Sequence, residues 1–162
     1  MREMLRLCAG MPERTFGAGE ILLREGQRSG VLFVLAEGSV EILKGDFQVT
    51  TVCDPGAFFG EMSVLLDAPH MATVRTLEPS RFYVADDATR FLESDPAVAF
   101  AVSRLLARRL HSMITYLVDL KQQFAEHDDH FGMVDEVLET LAHHQGEEHA
   151  PGSDRDPDPT VY

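Results

Sequence analysis

The sequence predicts a mainly β chain with helices, a jelly-roll β-barrel followed by a long C-terminal helix. Two observations predict it. From Arg14 to about Val84, short apolar runs alternate with Gly and Pro at intervals of about ten residues, the rhythm of an all-β barrel or jelly roll. From Pro96 onward the apolar period changes to that of an amphipathic helix.

The elements follow in order. Met4, Leu5 and Leu7 stand at helical spacing, so residues 1–8 read as a short leading helix. The strand-like runs are Glu20–Leu23, Val31–Leu35, Ser39–Leu43, Gln48–Val52, Ala57–Phe59, Ala72–Thr76 and Arg81–Val84. Val, Ile, Phe and Thr dominate them, as a pleated surface favours. Gly17, Gly19, Gly26, Gly30, Gly38, Gly45, Asp54-Pro55-Gly56 and Glu78-Pro79-Ser80 separate them. Glu61–Asp67 is helix-forming and interrupts the rhythm. Asp86 and Asp87 are caps for a short helix ending at Ser94. Asp95-Pro96 restarts a helix, with Pro at its first position.

The long helix is expected over residues 95–126. Leu106, Leu110, Met113, Leu117, Leu120 and Phe124 follow the a/d spacing of a coiled coil. That face either packs on the barrel or joins a second copy, and a long helix without support in water favours a homodimer. Residues 131–144 form a further amphipathic segment, with Val134, Val137, Leu138 and Leu141 on one face. It either folds back on the long helix or presents its face to a partner. Residues 145–162 are acidic, Pro-rich and poor in aromatics, the composition of a disordered tail. The domain expectation is therefore a barrel with short helices over 1–94, followed by these three segments.

Composition narrows function. The 162 residues are 44% hydrophobic and 25% charged, enough apolar content for a core. Against 27 acidic residues stand 14 basic ones, a net charge of -13. Binding to DNA requires neutralising phosphates, so that charge argues against a DNA partner. The two cysteines, Cys8 and Cys53, are too few for a disulfide framework. Cys53, inside an apolar run, reads as a buried small hydrophobe. With no apolar run of membrane-spanning length and no signal-peptide pattern, the expectation is a cytoplasmic protein with no membrane partner. No nucleophile–base arrangement has motif support, so no enzyme is expected. His127, Asp128, Asp129 and His130, or His143 and His144, read as solvated helix ends rather than metal ligands, and His111 as a surface residue.

The segment Phe58-Phe59-Gly60-Glu61-Met62-Ser63-Val64-Leu65-Leu66-Asp67-Ala68-Pro69-His70-Met71-Ala72-Thr73-Val74 carries the chemistry. A Gly before a helix start exposes backbone N–H groups that favour an anion. Glu61 is placed to accept hydrogen bonds from a sugar hydroxyl. His70 and Met71 are expected to face the same concavity.

This segment resembles the phosphate-binding cassette of the cyclic nucleotide-binding domain family, whose pattern is roughly Phe-Gly-Glu-apolar-Ala/Ser-Leu-Leu, a spacer, then Pro-Arg-Ser/Thr-Ala-Thr-Val. The matches are Phe59, Gly60, Glu61, Met62, Ser63, Leu65, Pro69, Ala72, Thr73 and Val74. Phe16-Gly17-Ala18-Gly19-Glu20, Glu25-Gly26 and Gly38 agree as well, and the resemblance spans about Arg14 to Leu120. It implies a cyclic-nucleotide-sensing jelly roll, with Glu61 on the ribose 2′-hydroxyl and backbone amides at Gly60 and Ala72 on the phosphate. Ala107-Arg108-Arg109-Leu110 resembles the dimer helix of bacterial catabolite activators, in which comparison Arg109 pairs with Glu61.

Four positions depart from the pattern, two in the cassette and two on the long helix. His70 stands where the family has its phosphate-binding Arg, and Met71 where it has Ser or Thr. Met113 and Ile114 stand where adenine-reading relatives place hydroxyls. The resemblance implies a ligand such as cAMP, cGMP or a cyclic dinucleotide, with no cofactor required. The residues after the long helix offer one further helix and an acidic tail, too little and of the wrong charge for a DNA-reading helix-turn-helix. None is expected there, and output is expected through an unidentified effector protein. The alternative is a degenerate barrel kept as a dimeric interaction module that binds no ligand.

Overall fold

The computed structural model describes residues 2–123. They hold α1 (Arg2–Leu7), β1 (Glu13–Phe16), β2 (Ile21–Leu23), β3 (Leu32–Glu37), β4 (Val40–Lys44), β5 (Phe47–Val52), β6 (Phe58–Phe59), α2 (Glu61–Leu65), β7 (Thr73–Thr76), β8 (Ser80–Ala85), α3 (Ala88–Ser94) and α4 (Pro96–Gln123). Two four-stranded antiparallel sheets form, in the orders β1-β8-β3-β6 and β2-β7-β4-β5. This is the expected jelly-roll architecture followed by a long helix.

The chain divides into two compact units, Met1–Ala107 and Arg108–Tyr162. In the first, one core lies between the sheets, built from Leu23, Val40 and Val74 of one and Phe33, Leu35, Phe59, Phe82 and Val84 of the other. Phe82 is fully buried and meets Phe16, Phe33 and Phe59 edge-to-face at 5.7–6.5 Å between ring centres. Such edge contacts set the positive ring rim against a negative face. A second core lies on the other side of the first sheet, where Leu32, Val34 and Phe58 pack with Met4, Cys8, Ala88, Leu92, Val98 and Val102 from the helices. β3 sends alternate residues into the two cores, which explains its unbroken apolar run Leu32-Phe33-Val34-Leu35. Phe58 and Phe59 divide between the cores in the same way.

The helix starts form as their residues dictate. The Asp87 carboxylate accepts from the Arg90 N–H at the start of α3, and the Asp95 carboxylate accepts from the Ala97 N–H at the start of α4. Asp86 instead pairs with Arg14 at 2.6 Å.

Two expectations change. β1 was not among the strand-like runs, yet Glu13–Phe16 pairs with β8 along its length. Cys53 is exposed rather than buried, because it follows an edge strand whose residues face solvent. Cys8 is the buried thiol, its pKa pushed up to about 11 by burial, which keeps it protonated and inert.

In the second unit, α4 continues to Gln123, and His111 is exposed as expected. Of the a/d positions, Leu110 and Met113 are exposed, while Leu117 and Leu120 are half-buried. Leu106, in the first unit, packs against the helical core. Phe124, the segment 131–144, the tail 145–162 and the histidines at 127, 130, 143 and 144 lie outside the described residues.

Candidate functional site

The cassette is assembled between β6 and β7. Gly60 ends β6 and caps α2 with φ 101°, a conformation that disfavours any side chain. A Cβ there would also lie 2.5 Å from the Val31 carbonyl oxygen. Glycine is therefore required twice over, by backbone angle and by close approach. Gly60 lets the chain leave the buried Phe58-Phe59 pair and turn at once into α2.

Glu61 opens α2 and is 2% exposed, a carboxylate drawn into the protein at the positive end of the turn. α2 closes with the Leu66 N–H donating to the Met62 carbonyl, and the Ser63 hydroxyl donates to the Ala68 carbonyl. Asp67 then takes φ 47°. This helix is shorter than the expected Glu61–Asp67, because Asp67 turns left-handed two residues after Leu65.

At the other end, His70 is 5% exposed. Its Nε2 lies 2.9 Å from the Ser29 hydroxyl, and burial pushes its pKa below the ordinary imidazole value. Its backbone is held from both sides: its N–H donates to the Gln27 carbonyl at 2.8 Å, and its carbonyl accepts from the Gly26 N–H at 2.9 Å. Met71 is 61% exposed, and its carbonyl accepts from Lys44 Nζ at 2.7 Å. Ala72 and Thr73 are half-buried, and the Thr73 hydroxyl accepts from the Glu25 N–H. Pro69 and Met62 are exposed.

Phe59, Gly60, Glu61, Met62, Pro69, His70, Met71, Ala72 and Thr73 thus lie along one segment that runs from β6 through α2 to the start of β7. Arg109 and Met113 belong to the second unit, exposed on α4.

The loop between β2 and β3 is a part of the site that sequence reasoning missed. Besides the contacts of Gly26, Gln27 and Ser29 with His70, Arg28 donates to the Asp67 carbonyl and carboxylate at 2.6 and 2.7 Å. A permanent cation therefore sits on the cassette's left-handed turn. Lys44 is a second cation beside Met71, paired with Glu25 at 2.7 Å. The Glu25 carboxyl is held below its usual range, first by the Gly45 N–H and then by Lys44. The sole signal in the sequence was Glu25-Gly26. Ser29 and His70 are 41 positions apart, so no local pattern announces their contact.

Elsewhere a shallow cleft of about 480 Å³ is lined by Met11, Pro12, Val84, Phe91, Asp86 and Asp87, among others. Its two carboxylates are already engaged, with Arg14 and with the start of α3. Among the described residues no cluster of His, Cys, Asp or Glu has metal-site geometry, and no helix is long and apolar enough to cross a membrane.

A family model described as the cyclic nucleotide-binding domain matches residues 13–93, half of the chain. The chain is 31% identical over 75 residues to a cAMP-dependent protein kinase regulatory subunit of Mycosarcoma maydis, covering 44% of this chain and 14% of that protein. Across the first curated relatives it spans 14% to 24% of their length. In structure it resembles the Thermus thermophilus catabolite activator protein, with TM-score 0.58 and 23% identity, covering 77% of this chain and 59% of that one. A structure reported for a cyclic-GMP-dependent signalling pathway in bacterial phytopathogenesis matches with TM-score 0.59 and 27% identity, covering 68% of this chain and 94% of that one.

Proposed function

The chain belongs to the cyclic nucleotide-binding domain family, and we propose that it is a regulatory sensor whose cassette takes a cyclic nucleotide weakly and signals through a protein partner. The observation that carries this reading is the turn at Gly60, with its left-handed glycine and the buried carboxylate of Glu61 beside it. In this reading Glu61 accepts from a ribose hydroxyl, and the backbone at Gly60 and Ala72 takes the phosphate. The ligand class is cAMP, cGMP or a cyclic dinucleotide.

His70 sets the strength of the grip. An Arg would be charged at every working pH and would hold two phosphate oxygens at once. An unperturbed His is about a quarter protonated at pH 7, and burial lowers that fraction here. One missing charge-assisted hydrogen bond, at about 1.5–3 kcal/mol, weakens binding roughly 10- to 150-fold. An anion against the imidazole raises its pKa and recovers part of that loss. Arg28 supplies a permanent charge on the same turn, at present held by Asp67.

The dimer through residues 95–126 remains part of this reading, supported by the exposed Leu110 and Met113. Arg109 and Met113 are its proposed ligand contacts on α4. A thermal-shift screen with cAMP, cGMP and cyclic dinucleotides at pH 6 and pH 8 tests the function. A shift that is larger at pH 6 is expected.

One observation favours the second reading, a dimeric interaction module that takes no ligand. His70 is already satisfied by Ser29 without any anion. Absence of any shift at both pH values, in the natural chain and in His70→Arg alike, selects that reading.

A further inference from the structure

We propose that the open edge of the second sheet, strand β5, docks an extended segment of another protein that has a neutral, β-forming centre and a basic residue at each end. β5 ends the order β2-β7-β4-β5, so one side of its backbone pairs with β4 and, among the described residues, the other has no strand beside it. Unpaired N–H and C=O groups along an edge are a template for another strand, and proteins ordinarily blunt such edges.

The other three edges of this barrel are blunted. β6 has two residues, both buried. β2 has three residues. β1 carries Glu13 and Arg14, which are ion-paired to Arg81 and Asp86. β5 differs from all of them. Its six residues, Phe47-Gln48-Val49-Thr50-Thr51-Val52, include no charge, no Pro and no Gly, and all but Val52 are exposed. Its one interruption is the register shift that leaves Val49 without an opposite residue on β4. Phe47 and Val49 are 73% and 55% exposed there, apolar side chains beside an open edge.

Charge selects the occupant. Asp46 and Asp54 bracket the strand, both exposed. Among the described residues neither carboxylate has a hydrogen bond or an ion pair. An antiparallel second copy would bring Asp46 of one chain toward Asp54 of the other, in a molecule of net charge -13. A segment with Lys or Arg at both ends meets the two carboxylates instead.

The probe is a blocked synthetic peptide, Lys-Thr-Val-Thr-Val-Thr-Val-Lys, titrated into the full chain while amide hydrogen exchange of residues 47–52 is followed. The expected result is exchange slowed about 10-fold or more at the edge-facing amides of β5. A peptide with Glu in place of both Lys residues protects far less. The charge-reversed chain Asp46→Lys with Asp54→Lys inverts that preference, and Val49→Lys, which places a charge on the edge, removes protection by either peptide. No protection at about 1 mM of the Lys peptide overturns the proposal, as does equal protection by the Glu peptide. Protection that rises with protein concentration in the absence of peptide assigns the edge to a second copy and also overturns it.

Discussion

The two ends of the cassette are built on opposite principles. At the Gly60 end the backbone does the work. A left-handed glycine lies against the Val31 carbonyl, and a buried Glu61 follows it. At the His70 end a side chain stands where the resemblance expects a permanent charge, and it is turned toward Ser29. The first end is fixed by sterics and leaves one residue type acceptable. The second holds its backbone through Gln27 and Gly26, but its imidazole is fixed by one side-chain contact with Ser29 and by burial, and that contact responds to protonation. A seat can thus keep its frame while its affinity is set elsewhere.

The largest effect is expected from the steric end. Gly60→Ala forces a side chain into a left-handed backbone and against the Val31 carbonyl. A loss of about 3 kcal/mol in urea unfolding is expected. Unchanged stability would mean that the cassette frame is not rigid.

The helix comes next. Leu110→Glu with Leu117→Glu places like charges along the a/d face and should convert a dimer to a monomer in light scattering, with the barrel's unfolding unchanged. A natural chain that is monomeric at every concentration removes the dimer.

A smaller effect concerns pH. His70 has a folded pKa below its ordinary value of 6.5 because of burial. As pH falls through that ordinary value, the unfolded chain takes up the proton first. Stability is therefore full above about pH 6.5 and declines until pH passes the lower folded pKa. His70→Gln should flatten this part of the stability profile. Equal slopes in both proteins would place the titration elsewhere.

The smallest effect is at Arg28. Its pair with Asp67 is exposed, with side chains 56% and 99% accessible. Arg28→Gln should change stability by less than about 0.5 kcal/mol. It should still weaken nucleotide binding measurably if that cation helps hold the phosphate.

Much of the barrel was legible because its signals are local. Gly and Pro punctuate the strands, Asp87 and Asp95 cap helices, and both cores take alternate residues of β3. β1 escaped notice because Glu13-Arg14-Thr15 is polar and exposed, and its pairing partner lies far along the chain in β8. Cys53 was misread because apolar neighbours do not reveal that a strand is an edge. The cassette's order was visible from Phe59 to Val74. The link from Ser29 to His70 and from Arg28 to Asp67 was not, since it depends on how one loop folds over another.

The central claim is that this seat takes a cyclic nucleotide with a grip set by position 70. Calorimetric titration of the natural chain and of His70→Arg with the nucleotide giving the largest thermal shift, at pH 6 and pH 8, tests it directly. The account predicts that the natural chain binds more tightly at pH 6. It predicts that His70→Arg binds about 10-fold or more tightly at pH 8 and loses most of the pH dependence. Affinity that is the same in both proteins at both pH values, or no binding heat from either, would contradict it.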